Sequence, residues 1–99
     1  MDTASIQPAD TAESATAASD TELIARAIAG KRHAFEAIMR RHNQLLFRTA
    51  RSILKSDPEA EEAVQEAYLQ AWRALATFRA DARLSTWLVR IVANEALGR

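Results

Sequence analysis

Arg90 and Asn94 stand one helical turn apart near the end of a 99-residue chain. A guanidinium suits a phosphate and a carboxamide suits a base edge. A little upstream, Phe78 adjoins Arg79, with Arg83 close behind. Cations beside an aromatic suit single-stranded nucleic acid, whose phosphates need charge and whose bases need a stacking surface. A second group has a different character. Leu69 and Trp72 recur at helical spacing with Glu62, Gln65 and Glu66. An apolar spot inside a polar rim is the usual form of a protein-docking hot spot. Both groups are chemistry of binding. Catalysis has no comparable constellation: the chain lacks a Gly-rich phosphate loop, a metal-ligand cluster and a Ser or Lys nucleophile beside a base. Having no Cys, it forms no disulfide, thiol nucleophile or thiolate metal site. His33 and His42, nine positions apart, make a poor zinc pair and read as ordinary helix residues. No catalytic residue, metal or cofactor is therefore expected.

The elements that must position these residues are helices. With 2 Gly and 2 Pro among abundant Ala, Leu, Arg and Glu, the composition favours an all-α chain over a sandwich or barrel. Residues 1–19 are Ala, Thr, Ser and acid with one Ile, too little apolar area to offset the entropy of ordering, and are expected to form a disordered tail. The domain should occupy residues 20–99. Ser19-Asp20-Thr21-Glu22 is a capping-box pattern, opening a helix over about 20–29 with Leu23, Ile24, Ala27 and Ile28 and stopping at Gly30. A second helix, about 32–54, carries Phe35, Ile38, Met39, His42, Leu45, Leu46, Ala50 and Ile53 at helical period. Asp57 and Pro58 then suit the cap and first position of a third, about 58–76. A polar loop follows from Thr77 to Leu84, and Ser85 is placed to cap a fourth helix ending near Leu97. The expected fold is a compact bundle of about four helices with short connections.

On the third helix, Ala60, Ala63, Val64, Ala67, Ala71 and Leu75 share the core stripe. The opposite side carries Glu62, Gln65, Glu66, Leu69, Trp72 and Arg73, with Leu69 at its centre. Either a partner or another helix of the bundle could cover Leu69 and Trp72, and an outer helical face should be convex. The fourth helix is apolar nearly all round and interrupted by Arg90 and Asn94. A zero net charge conceals asymmetry: residues 1–20 hold four acids and no base, leaving 13 bases and 9 acids in 21–99. Lys31 to Lys55 has seven bases and one acid, and Asp57 to Glu66 has five acids and no base. Such a divided field suits partners of opposite character. No apolar run approaches a membrane span and no secretory signal opens the chain, so the cytoplasm is the default compartment.

The stretch from Asp57 to Leu75, with Val64-Gln65-Glu66-Ala67-Tyr68-Leu69 and Ala71-Trp72, resembles region 2.2 of the extracytoplasmic-function (ECF) sigma factors. Phe78 to Leu97, with Ser85-Thr86-Trp87-Leu88, Arg90-Ile91 and Asn94, resembles their regions 2.3 and 2.4. Asp20 to Leu54 resembles region 2.1. The resemblance implies a dissociable subunit of bacterial RNA polymerase. It implies docking on the β′ coiled coil through Glu62, Gln65, Glu66 and Leu69, with Trp72 at the edge. It implies recognition of the melting promoter −10 element, on its non-template strand, by the loop 77–85 and the start of the fourth helix. Phe78 and the loop around it, which holds Arg79 and Arg83, would form the pocket for an extruded base, and Asn94 would contact bases. Primary sigma factors wedge the duplex with adjacent aromatics. Here Leu88 follows Trp87, so Trp87 is read more as a packing residue than as a wedge. An anti-sigma factor is a further implied partner, and a sigma mimic that sequesters one is the competing reading. Because the family continues into a region 4 that reads the −35 element, the chain is expected to be a fragment that binds duplex promoter poorly.

Overall fold

The computed structural model describes residues 18–79 and 83–99. Their regular structure is entirely helical: α1 (Asp20–Ile28), α2 (Arg32–Leu54), α3 (Asp57–Ala74), a 3-10 turn (Leu75–Thr77) and α4 (Leu84–Leu97). The expected all-α class is what the structure has. The chain divides into two compact units, residues 1–40 and 41–99, so that α2 contributes to both.

In the first unit, Ser19 Oγ accepts from the Glu22 amide at 3.1 Å, while the Ser19 amide donates to Glu22 Oε1 at 2.9 Å. The expected capping box is therefore closed. Leu23 and Ala27 are buried, but Ile28, counted with the apolar stripe, is 51% exposed. It falls on the last turn, where the chain is already leaving the helix. Gly30 takes φ +99°, and the amides of Gly30 and Lys31 donate to the carbonyls of Ala27 and Arg26. This αL closure favours glycine because it has no Cβ. From the start of α2, Ala34, Phe35, Ala37, Ile38 and Met39 are buried. At the edge of the expected tail, Ala18 is buried and Ser19 is the helix cap. The rest of that tail, residues 1–17, lies outside the described residues.

The second unit opens on the remainder of α2. Leu46 and Ala50 are buried, whereas Leu45 is 37% exposed, not part of the core stripe as expected. Leu45 lies about 100° from Leu46 on the wheel, so one helix cannot bury both centrally. α2 ends with Lys55 at φ 64°, its amide donating to the Arg51 carbonyl.

Ser56, not Asp57, caps α3: its Oγ accepts from the Glu59 amide at 3.4 Å. Asp57 is the first helical residue, with Pro58 second, and its Oδ1 accepts instead from Arg51 Nε at 2.6 Å. Ala60, Ala63, Val64, Ala67 and Ala71 are buried along α3, as expected. The helix stops at Ala74, two residues short of expectation, and tightens into the 3-10 turn that buries Leu75. The loop residues Ala80, Asp81 and Ala82 lie outside the described residues.

α4 starts at Leu84 with Arg83 as its N-cap and no side-chain cap, so Ser85 lies within the first turn and does not cap. Leu84 is buried, and the helix starts two residues earlier than a Ser85 cap would place it. Leu84, Leu88, Val92 and Ala96 form the buried stripe, each four residues from the next. Within this unit α3 and α4 approach each other most extensively. The small side chains along α3 permit that close approach.

Candidate functional site

The burial of Ala60, Ala63, Ala67 and Ala71 fixes which side of α3 faces out. On that side Leu69 is 50% and Trp72 39% exposed, so among the described residues neither is fully covered by another helix. Glu62, Gln65 and Arg73 are exposed, and Glu66 is half-buried. This is the outer side of the helix, expected to be convex. An open groove runs over it, lined by Pro58, Glu61, Glu62, Gln65, Glu66, Tyr68, Leu69 and Arg99. Three carboxylates and one guanidinium line it, which gives the groove an acidic character.

Arg99 was not among the expected site residues. Its Nη1 donates to Glu62 Oε1 and its Nη2 pairs with Glu95 Oε2, both at 3.2 Å. Glu95 Oε1 in turn accepts from Gln70 Nε2 at 2.6 Å. Side chains of α3 and α4 are thus joined in one polar chain that reaches a predicted docking residue. Glu62 is largely exposed, so its ion pair with Arg99 contributes at most about 1 kcal/mol. Partners 37 residues apart leave no local pattern, so only the helix packing discloses them.

The outer face of α4 is set by the same logic. At 100° per residue, Arg83, Trp87, Arg90 and Asn94 fall within about 60° of each other and opposite the buried stripe. Arg83, Arg90 and Asn94 are exposed and Trp87 is half-buried. Arg79 is also exposed. Phe78, half-buried, meets Trp87 with ring centroids 5.2 Å apart and planes at 60°. Tilted aromatic pairs at this separation are favourable. The contact joins the two ends of the loop whose middle residues are not described. Trp87 therefore packs against a loop aromatic rather than in the core. The Phe78–Trp87 pairing was not foreseen, although nine-residue spacing across a short loop made it available.

Tyr68 borders both faces of α3. Its hydroxyl donates to Asn43 Oδ1 on α2, and burial pushes its phenol above the ordinary value. Among the described residues no cluster of His, Asp and Glu is placed to hold a metal, and no helix is long and apolar enough to cross a membrane.

Residues 38–99 match the family model described as Sigma-70 region 2. The chain belongs to the sigma-70 region 2 family, in its ECF branch. It is 46% identical over 81 residues to the ECF RNA polymerase sigma factor SigM of Mycobacterium tuberculosis, covering 82% of this chain and 41% of the relative. It is 34% identical over 77 residues to the ECF RNA polymerase sigma-E factor of Escherichia coli, covering 78% and 40%. The RNA polymerase sigma-H factor of Pseudomonas aeruginosa is 32% identical over 77 residues, with 78% and 40% covered. The chain thus spans about two fifths of the length of the curated relatives it matches. No solved structure gives a significant match. Sigma factors are a non-enzymatic family of transcription factors.

Proposed function

We propose that this chain is the polymerase-docking and −10-reading part of a transcription initiation factor. The observation that carries it is the opposite chemistry of two outward faces in one unit. α3 exposes Leu69 in a groove with Glu62, Gln65 and Glu66, and Trp72 is exposed on the same side outside the groove's lining. α4 exposes Arg83, Arg90 and Asn94 on the stripe that contains Trp87. The acidic groove takes a basic helical surface of the RNA polymerase β′ subunit, with Leu69 as its apolar anchor. The α4 stripe takes the non-template strand of the promoter −10 element. Arg79, Arg83 and Arg90 neutralise phosphates there, and Asn94 reads a base edge. Phe78, held by Trp87, supplies the stacking surface for an extruded base, whose unstacking costs a few kcal/mol.

Leu69→Ala and Glu66→Arg should each weaken binding to core RNA polymerase by about 2 kcal/mol, roughly 30-fold, with helicity and melting unchanged. Unaltered affinity in folded variants would remove the docking role. In competition on the holoenzyme, Asn94→Ala should cost about 1–3 kcal/mol on the preferred strand and little on a scrambled one. Equal losses on both strands would leave Asn94 a mere surface polar residue.

A further inference from the structure

The basic part of α2 has no role in the function proposed above. Residues 41–55 hold four bases, Arg41, Arg48, Arg51 and Lys55, and no acid. Arg51 is committed to Asp57 at 2.6 Å. Arg41 and Arg48 are both exposed. Seven residues apart, they lie within about 20° on the helix and about 10.5 Å apart along its axis. That separation matches about three nucleotide rises, at roughly 3.4 Å each, of one nucleic-acid strand.

Next to Arg48, the half-buried ring of Phe47 borders two open recesses. One is lined by Asn43, Gln44, Phe47 and Arg48. The other is lined by Asn43 and Phe47 with Tyr68, Gln65, Val64 and Glu61 of α3. Tyr68 commits the Asn43 carbonyl oxygen by donating to it, which leaves the amide NH2 to donate. An aromatic ring, two carboxamides and a cation therefore meet beside a second cation on the same stripe. A ring face stacks a base, an amide meets a base edge, and the guanidiniums take phosphates.

We propose that this part of α2 is a second site for single-stranded nucleic acid, with one base against Phe47 and the backbone on Arg41 and Arg48. A duplex keeps its base faces within its own stack and cannot use the ring. An acidic peptide would meet the arginines but has no flat face to offer Phe47, and Glu61 would oppose it in the adjoining recess. The base end of the strand, which carries no charge, is what fits beside Glu61. The class of ligand is that of the proposed function, but the residues are on a different helix from those of α4.

The test is fluorescence anisotropy of a labelled oligo-dT strand of about a dozen nucleotides with the 99-residue chain, titrated with salt. The Arg41→Ala/Arg48→Ala variant should lower the slope of log affinity against log salt by about 1.4, at about 0.7 per phosphate contact. Phe47→Leu should weaken binding about tenfold with the slope unchanged, as loss of stacking requires. Both effects should persist when Arg90 and Asn94 are replaced by Ala. An unchanged slope in the arginine variant overturns the site, as does equal competition by a poly-glutamate peptide or by duplex of the same length. If Phe47→Leu does not fold, as read by circular dichroism, the arginine slope and the competitors still decide. Should the α2 effects stand while the Arg90 and Asn94 changes do nothing, the α4 reading fails and this site remains.

Discussion

α3 and α4 begin in opposite ways. α3 has a serine cap, a proline in its first turn and acids at Asp57 and Glu59, each favourable at the positive end of a helix dipole. α4 has no side-chain cap and begins on Arg83, a cation at the end that disfavours one. Their inner sides are alike: each buries small or aliphatic residues at four-residue steps. The inner stripes set the packing, and the departure from local preference falls at a residue to which the proposed function gives a phosphate contact. Arg83 is that departure, since a residue chosen for helix stability alone would be Asp, Asn or Ser.

Four measurements break or sharpen this contrast. The largest effect separates inside from outside on α4. Val92→Asp places an uncompensated charge at a fully buried position, costing about 3–5 kcal/mol, and should abolish cooperative thermal unfolding. Arg90→Asp, on the outer stripe, should shift stability by no more than about 0.5 kcal/mol. Comparable losses would mean that α4 is buried all round. Next, Ser56→Ala removes the cap of α3 and should cost about 1 kcal/mol, lowering the melting midpoint by roughly 4–8 °C. An unchanged midpoint would show Asp57 taking over the cap. Slightly smaller and opposite in sign, Arg83→Asp supplies the missing cap and should stabilise by about 0.5–1 kcal/mol, while weakening single-stranded DNA. A variant that is stabilised yet binds as before would deny Arg83 its phosphate role.

The smallest effect is one of pH. Burial holds the Tyr68 phenol above its ordinary value near 10.0. The neutral form is favoured in the folded chain, so this contribution is fully present below about pH 10 and is lost as pH rises through the folded value. Tyr68→Phe should therefore flatten the alkaline fall in melting temperature. The chain has one Tyr, so phenolate absorbance follows it directly, and an unshifted titration would deny the burial.

Much of this was legible in sequence because it is local. The capping box at Ser19, the alanine stripe of α3 and the placing of Leu69 and Trp72 on the opposite side all follow from spacing within one helix. Asp57 suited the cap by residue type alone, but Ser56 takes it and Asp57 pairs with Arg51, a partner six residues away. Ser85 misled because the burial of Leu84 governs where α4 starts. Leu45 and Ile28 misled because periodicity marks apolar positions but not the width of the surface available to cover them. The links from Arg99 to Glu62 and from Tyr68 to Asn43 join residues far apart in sequence, and depend on how helices cross.

The four-residue steps of both inner stripes have a geometric consequence. Ala63, Ala67, Ala71 and Leu75 on α3, and Leu84, Leu88, Val92 and Ala96 on α4, are rows of the i±4 kind. When such rows interdigitate, helix axes cross at about 50° rather than lying side by side. Outer faces on crossed axes look in diverging directions. Under the proposed function, a protein seated over Leu69 and a strand laid along Arg90 and Asn94 would then approach from separate quarters, each leaving the other's path open.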